Sequence, residues 1–389
     1  MSNRAVIRVT GDSNKKLLFL VTEDWYFCSH RLALAIAARE AGYEVLVATR
    51  VDRCGAEIRG AGLRLLPIGL RRRSLAPWRE WAAVLEIYRL YRTERPDIVH
   101  QVAMKPVLYG SVAAWVCRVP VIINALAGLG FVYASASGFA RLLKPFVRLA
   151  LRLVFASSRV RVVLQNPDDD RIVGALAVPA GRRVLIRGSG VDTEKFAPSP
   201  EPAGPVVVTL VARMLADKGV CEFVEAARIV HRSHPQARFR LVGPQDAENP
   251  ACIDSATLAA WCAAGHVHWC PGSDDIPSVW AHSHIAVLPS YREGLPKALL
   301  EAAACGRAMV ATDVPGCREI VQAGETGLLV PARDPEALAQ AVLTLIKDPD
   351  LRRRLGARAR HIVRAHFSRQ LIIRQTLDLY RESLAARGL

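Results

Sequence analysis

The chain has 389 residues, 51% of them hydrophobic, which is enough for two or three domains with sizeable cores. Its formal net charge of +16 favours anionic partners, and nucleic acid, acidic lipid or a phosphorylated substrate would each satisfy it. Nine scattered cysteines without a CxxC pair favour reduced thiols and argue against zinc, and the polar start Met1 to Asn14 lacks the apolar core of a signal peptide, so a cytoplasmic location is expected.

In chain order, strand-like apolar runs alternate with helix-like stretches. Lys16 to Val21 reads as a strand, Arg31 to Glu40 as a helix and Glu44 to Ala48 as the next strand. The rhythm continues through Leu63 to Ile68, a helix from Trp78 to Thr93, Asp97 to His100, a helix near Tyr109 to Cys117, and Val121 to Asn124. A helix from Phe139 to Phe155 precedes the strands Val160 to Leu164 and Val184 to Ile186. Four prolines between Pro198 and Pro205 cannot sustain a helix or central strand, which predicts a linker over 198–205. Strands then follow at Pro205 to Val211, Phe239 to Val242, His266 to His268, Ile285 to Leu288, Ala308 to Ala311 and Gly327 to Val330. The expected fold class is α/β, with two Rossmann-like doubly wound domains facing a cleft. The first would cover 15–197 and the second 206–365, with a helix in 366–389 packing back on the first.

The stretch Glu293-Gly-Leu-Pro-Lys-Ala-Leu-Leu-Glu301 carries the most chemistry. Ser290-Tyr-Arg-Glu293 leaves a buried strand as a turn, which sets Glu293 at the strand's carboxyl end. Pro296 suits the first helical position and Gly306 the left-handed stop after Lys297 to Cys305. A helix start there favours an anion, so a phosphate fits between the two glutamates. Glu301 lies roughly 7.5 Å along the helix axis, within reach of the other end of a diphosphate-bridged ligand. The pair reads as a seat for a sugar nucleotide, although a solvated glutamate on an ordinary αβ unit has the same spacing.

Directly after the first strand of the second domain, Arg213 and Lys218 share one βα loop, where a diphosphate would lie. Two fixed cations would hold both phosphates and stabilise the charge on a departing nucleoside diphosphate. Leu241-Val-Gly243-Pro244 ends another strand at a place where backbone could approach a base or ribose; a plain strand-ending turn is the competing reading.

These residues carry a family likeness. Arg213 to Gly219, Glu293 to Gly306, Ala311 to Val321 and Gly190-Val-Asp-Thr-Glu-Lys-Phe196 resemble the donor half of the large family-four group of retaining glycosyltransferases with the GT-B fold. The resemblance implies transfer of a hexose or N-acetylhexosamine from a nucleoside diphosphate, with UDP the favoured carrier, retention of configuration, no metal and no separate cofactor. By position, Glu293 would hold sugar hydroxyls, Glu301 the ribose diol, and Arg213 and Lys218 the diphosphate. The backbone of Gly294, Leu295 and Pro296 would complete the phosphate seat.

The first domain resembles a branch that extends lipid-linked saccharides for bacterial surface polysaccharides or glycans, through Asp24 to Arg31, His100 to Pro106 and Ala127 to Phe131. Asp24, His30 and His100 are candidates to orient the acceptor, and Lys105 to meet its phosphates. Each has a structural alternative: a helix cap for Asp24, a cap or packing for His30, a core histidine for His100, solvated surface for Lys105. No histidine follows Val121 to Leu126, where the wider family often has one, so the leaving phosphate oxygen is expected to take the acceptor's proton.

Arg71-Arg-Arg73 and the basic residues Arg141, Lys144, Arg148 and Arg152 among leucines and phenylalanines suggest a patch for an anionic inner leaflet. Arg352-Arg-Arg354 reads as an exposed helix face. A nucleic-acid-binding protein would explain the charge, but there is no aromatic interleaving or recognition motif, so no nucleic-acid partner is expected. A sugar-nucleotide epimerase of the same fold is the other rival.

Overall fold

The computed structural model describes residues 15–72, 76–126 and 138–389, with side chains from residue 144 onward in the last stretch. The Ala127 to Phe131 motif, Arg73, the side chain of Arg141 and the Met1 to Asn14 segment lie outside the described residues. The chain divides into two compact units, one formed by Met1–Ser189 with Ile373–Leu389, the other by Gly190–Ile372.

The first unit holds strands β1 (Lys16–Glu23), β2 (Glu44–Arg50), β3 (Arg64–Pro67), β4 (Ile98–Val102), β5 (Val121–Ala125), β6 (Val160–Leu164) and β7 (Arg183–Leu185). They pair in parallel in the order β3-β2-β1-β4-β5-β6-β7. The reversal beside β1 is the doubly wound pattern. Uninterrupted apolar runs make these central strands: Leu17 to Leu20 are fully buried, as are Val99 and Ile122. The helices Pro77–Glu94, Met104–Val116 and Gly138–Phe155 feed Ile87, Val107 and Leu151 into one core cluster with β1, β4 and β5.

The second unit holds β8 (Val207–Val211), β9 (Arg238–Val242), β10 (His268–Cys270), β11 (Ile285–Leu288), β12 (Ala308–Thr312) and β13 (Gly327–Val330). Its parallel order is β10-β9-β8-β11-β12-β13. Two core clusters line this sheet, one with Phe223 and Leu338, the other with Leu299, Leu300 and Ile320. Two Rossmann-like units are therefore present, as expected.

Several boundaries differ from the sequence reading. β10 sits at His268–Cys270 rather than His266 to His268, because pairing with Arg240 to Val242 of β9 sets its register. The division falls at Ser189/Gly190, ahead of the proline segment, and that segment is no free linker. Buried Arg307 donates to the Ser199 carbonyl at 2.8 Å, and Arg352 makes paired bonds to Glu201 at 2.7 and 2.8 Å, fixing it to the second unit. Arg352 is accordingly buried, so only Arg353 and Arg354 of that triplet are exposed. The last helix, Arg369–Ala385, begins in the second unit and has its remaining turns in the first.

Candidate active site

The loops that leave β8 and β11 are joined by backbone, with the Tyr291 N–H donating to the Asp217 carbonyl at 3.0 Å. That contact sets Lys218 against Glu293, the ammonium reaching Oε1 at 2.5 Å, and the Ser290 hydroxyl donates to the same oxygen at 2.8 Å. Thr312 at the end of β12 donates to the Ser290 carbonyl and so holds this turn from the next strand. Glu293 and Lys218 are mostly buried, 13% and 20% exposed, which leaves the pair reachable but weakly screened by water. Ser290 lies in the turn expected from the sequence, and nothing in its spacing signals the bond to Glu293.

Arg213, on the same βα loop, pairs with Asp246 beyond β9. The sequence offered no signal for Asp246, since the pairing depends on how closely the two loops approach. That approach also explains Gly243. At φ +147° a Cβ there would stand 1.9 Å from the Ala212 carbonyl oxygen. The Gly243 N–H donates to Cys270 at 2.9 Å and its carbonyl accepts from Trp269 Nε1 at 3.1 Å. Gly243 is thus a packing position with its backbone groups taken, which corrects its assignment to nucleotide contact.

The helix after Glu293 runs Lys297–Ala304, with Pro296 as its N-cap residue (φ −73°, ψ 117°) rather than its first helical residue. Cys305 and Gly306 (φ +74°) end it as expected. The positive end of the helix dipole therefore lies at Pro296–Lys297, and Pro296, having no N–H, can donate nothing to an anion there, which corrects its place in the expected phosphate seat. Gly316, at φ +83°, crosses so near that a Cβ would lie 2.4 Å from the Gly294 carbonyl oxygen. The Ala311 to Val321 stretch thereby shapes the loop that bears Glu293.

Glu301 is 7% exposed, and Lys297 one turn earlier lies 3.6 Å from its Oε1. Burial raises its pKa, while Lys297, Lys195 and Arg369 oppose that rise. Lys195 is fixed by Asp192, whose carboxylate accepts from the N–H groups of Glu194 and Lys195 and from Arg369 at 3.0 Å. The Gly190 to Phe196 motif thus brings cationic charge to Glu301.

Of the four acceptor-side candidates in the first unit, Asp24 and His100 are buried in the fold, whereas His30 and Lys105 are partly exposed. Asp24 is fully buried and its Oδ2 accepts from the N–H groups of Asp52, Arg53 and Cys54 at 2.8–2.9 Å. Burial alone would raise its pKa, but those backbone donors outweigh it and the net shift is downward. It holds the turn after β2, and it begins the helix Asp24–His30, whose N-cap is Glu23, rather than capping one. His30 ends that helix, its ring stacked on Tyr26 at 4.2 Å between centroids. His100 is buried in β4, stacked on Phe19 and bonded through Nδ1 to the Tyr380 hydroxyl at 2.5 Å. Burial holds its pKa well below the usual value, with Arg31 acting in the same direction, so it is a neutral core histidine and not an acceptor group. Lys105 pairs with Glu80 at 2.9 Å and donates to the Arg71 carbonyl.

One grouping was invisible in the scatter of cysteines. Cys28, Cys54 and Glu57 bring possible metal-ligand atoms within 4.8 Å of one another. Burial raises both thiol pKa values, which keeps them protonated and makes them poor ligands as they stand.

Known proteins match along both units. The family described as "Glycosyl transferase 4-like" matches residues 16–161, and "Glycosyl transferases group 1" matches 205–348. The chain belongs to these glycosyltransferases and has their GT-B fold. It is similar to N,N'-diacetylbacillosaminyl-diphospho-undecaprenol alpha-1,3-N-acetylgalactosaminyltransferase of Campylobacter jejuni, with 26% identity over 90% of this chain and 94% of that one. UDP-Gal:alpha-D-GlcNAc-diphosphoundecaprenol alpha-1,3-galactosyltransferase of Escherichia coli is 24% identical over 71% of this chain and 73% of its own. Sucrose-phosphate synthase from Thermosynechococcus elongatus shares the fold, with a TM-score of 0.77 and 21% identity over 96% of this chain and all of the other.

Proposed function

We propose that this glycosyltransferase moves a hexose or N-acetylhexosamine from a UDP-sugar to a lipid-linked saccharide acceptor, with retention of configuration and without a metal. The observation that carries the reading is the Lys218–Glu293 pair at the joined ends of β8 and β11, at 2.5 Å. Ligands of doubly wound sheets bind at the carboxyl ends of their strands. There Lys218 and Arg213 meet the two phosphates, Glu293 accepts from hydroxyls of the transferred sugar, and Glu301 accepts from the ribose diol. Gly294 and Leu295 complete the phosphate seat from the backbone.

As the sugar–phosphate bond breaks, negative charge grows on the diphosphate. Lys218 and Arg213 stabilise it most at that point, which lowers the barrier rather than only tightening binding. The acceptor hydroxyl approaches from the face the diphosphate leaves, and its proton passes to the departing phosphate oxygen. No protein base is needed for that step. Both named relatives act on undecaprenyl-diphosphate-linked saccharides and one uses UDP-Gal, which supports a lipid-linked acceptor and a UDP donor.

The test is a thermal-shift panel of UDP-, GDP-, ADP- and dTDP-sugars. Stabilisation by a UDP-sugar, lost in Glu301→Ala, is expected; stabilisation that survives this substitution removes Glu301 from the ribose role.

A further inference from the structure

A cavity of about 480 Å³ opens in the first unit at the amino ends of β4 and β5, opposite the strand ends where doubly wound sheets take their ligands. It lies at the last turns of the helices Pro77–Glu94 and Met104–Val116, and its lining includes Asp97, just ahead of β4. The volume falls within the roughly 300–1,000 Å³ of small-molecule sites.

Three arginines, Arg92, Arg95 and Arg118, line the cavity. Among the described residues none of the three has an ion-pair partner, and Arg92 donates to the neutral Tyr88 hydroxyl at 2.9 Å. The one carboxylate in the lining is engaged elsewhere. Asp97 Oδ2 accepts from the Lys16 N–H at 2.8 Å, and its Oδ1 lies 3.8 Å from the Lys15 ammonium. The cavity is left with unmatched positive charge.

The backbone carries a second signal. Arg95 and Arg118 have φ of +48° and +56°, the left-handed region. Arg95 is the C-cap of Pro77–Glu94, and Arg118 follows Cys117, the C-cap of Met104–Val116. Glycine takes this conformation without strain and is the usual residue at such helix ends, whereas an L side chain there costs stability. Five non-glycine residues among the described ones have a positive φ, and two of the five are arginines on this one cavity. A cation does offset the negative end of a helix dipole. Arg92, inside the last turn, does so with no strained backbone, so the dipole does not account for Arg95 or Arg118. Strain held at a concave, cationic place points to a ligand.

Charge and shape define that ligand. Guanidinium groups match phosphate oxygens with paired N–H bonds. Beside them, the Tyr88 ring and Val116, 63% exposed, give the cavity an apolar wall. We propose that this cavity is a second binding site, for a small organic phosphate. Its phosphoryl group meets Arg92, Arg95 and Arg118, and its planar or apolar body lies against Tyr88 and Val116. The site consists of first-unit residues alone, whereas Lys218 and Glu293 belong to the second unit, so it stands whether or not the proposed reaction does.

The experiment is calorimetric titration of the full chain with phenyl phosphate and with inorganic phosphate. One equivalent of phenyl phosphate should bind, and inorganic phosphate, which lacks the apolar body, should bind about tenfold more weakly. Arg92→Gln should weaken phenyl phosphate binding at least about tenfold with an unchanged melting temperature, the effect of losing one charged hydrogen-bond donor. Arg95→Gly/Arg118→Gly should weaken it further and melt no lower than wild type, because glycine relieves the strained backbone. Arg213→Gln/Lys218→Gln, in the second unit, should bind the probe as wild type does. Affinity unchanged in the first two variants, affinity lost only in the last, or equal affinity for inorganic phosphate would each overturn the proposal. So would a glycine variant that melts well below wild type, since the two arginines would then serve the helix ends.

Discussion

Glu293 and Lys218 constrain each other, and that coupling makes the site testable residue by residue. Removing either leaves a mostly buried partner without its counter-charge. Glu293→Ala and Lys218→Ala are each expected to lower kcat/KM by about 10²- to 10³-fold, the scale for losing one group that stabilises transition-state charge. The double variant should fall far short of the product of the two, because both act as one unit; full additivity in steady-state kinetics would reject the pairing as functional.

Glu301 predicts a pH dependence. Its folded pKa is raised, first by burial, so the stability it contributes is present below the ordinary glutamate range and is lost as pH rises through the folded value. In the ribose role proposed for Glu301, donor binding would run the other way, since ribose hydroxyls would donate to the carboxylate. Affinity for the UDP-sugar should weaken on acidification at a higher pH than an ordinary glutamate would give, and Glu301→Gln should flatten that profile in calorimetric titrations. The local layout around Glu293 was legible because its motif is compact: a strand end, a turn and a helix start fall within a few residues. Asp246 was not, because it meets Arg213 only through the approach of two loops. Asp24 and His100 misled for a related reason, as polar residues at the ends of parallel strands also tie neighbouring loops and helices together.

At the scale of elements, the glycines that let loops cross are the weak points. Gly316→Ala would place a Cβ 2.4 Å from the Gly294 carbonyl oxygen at a φ of +83°. A loss of about 2 kcal/mol in folding stability, with weaker donor binding, is expected from denaturant titration with and without UDP. An unchanged midpoint would show that the loop bearing Glu293 is not held from β12. The last helix is held by Tyr380 against His100. The depressed His100 pKa means its stabilising share is present above the unfolded value of about 6.5 and is lost as pH falls below it. Urea midpoints should therefore drop between neutral and mildly acidic pH, and less so in His100→Phe. Most strands were placed within one or two residues because a buried parallel strand is an apolar run with sharp ends. β10 slipped because its three residues, His268 to Cys270, have no such run, and the proline segment was misread because its anchors, Arg307 and Arg352, are more than a hundred residues away.

For the whole molecule, the two units divide what could be read. The second has a compact chemical signature whose strand, turn and helix start were legible, whereas the first announces only its fold, a resemblance and an excess of charge. Its exposed tryptophans needed the tertiary structure, since Trp78 and Trp81 look like core residues in a helical pattern until their exposure, 72% and 75%, is seen.

The central claim, a group transfer from a UDP-sugar seated on Glu293, Lys218 and Glu301, is tested most directly by UDP release measured with and without an undecaprenyl-diphosphate-linked saccharide. Release that requires the acceptor, keeps pace with product and falls about 10²-fold or more in Glu293→Ala is the predicted result. UDP release independent of acceptor, or a Glu293→Ala rate equal to wild type, would contradict it.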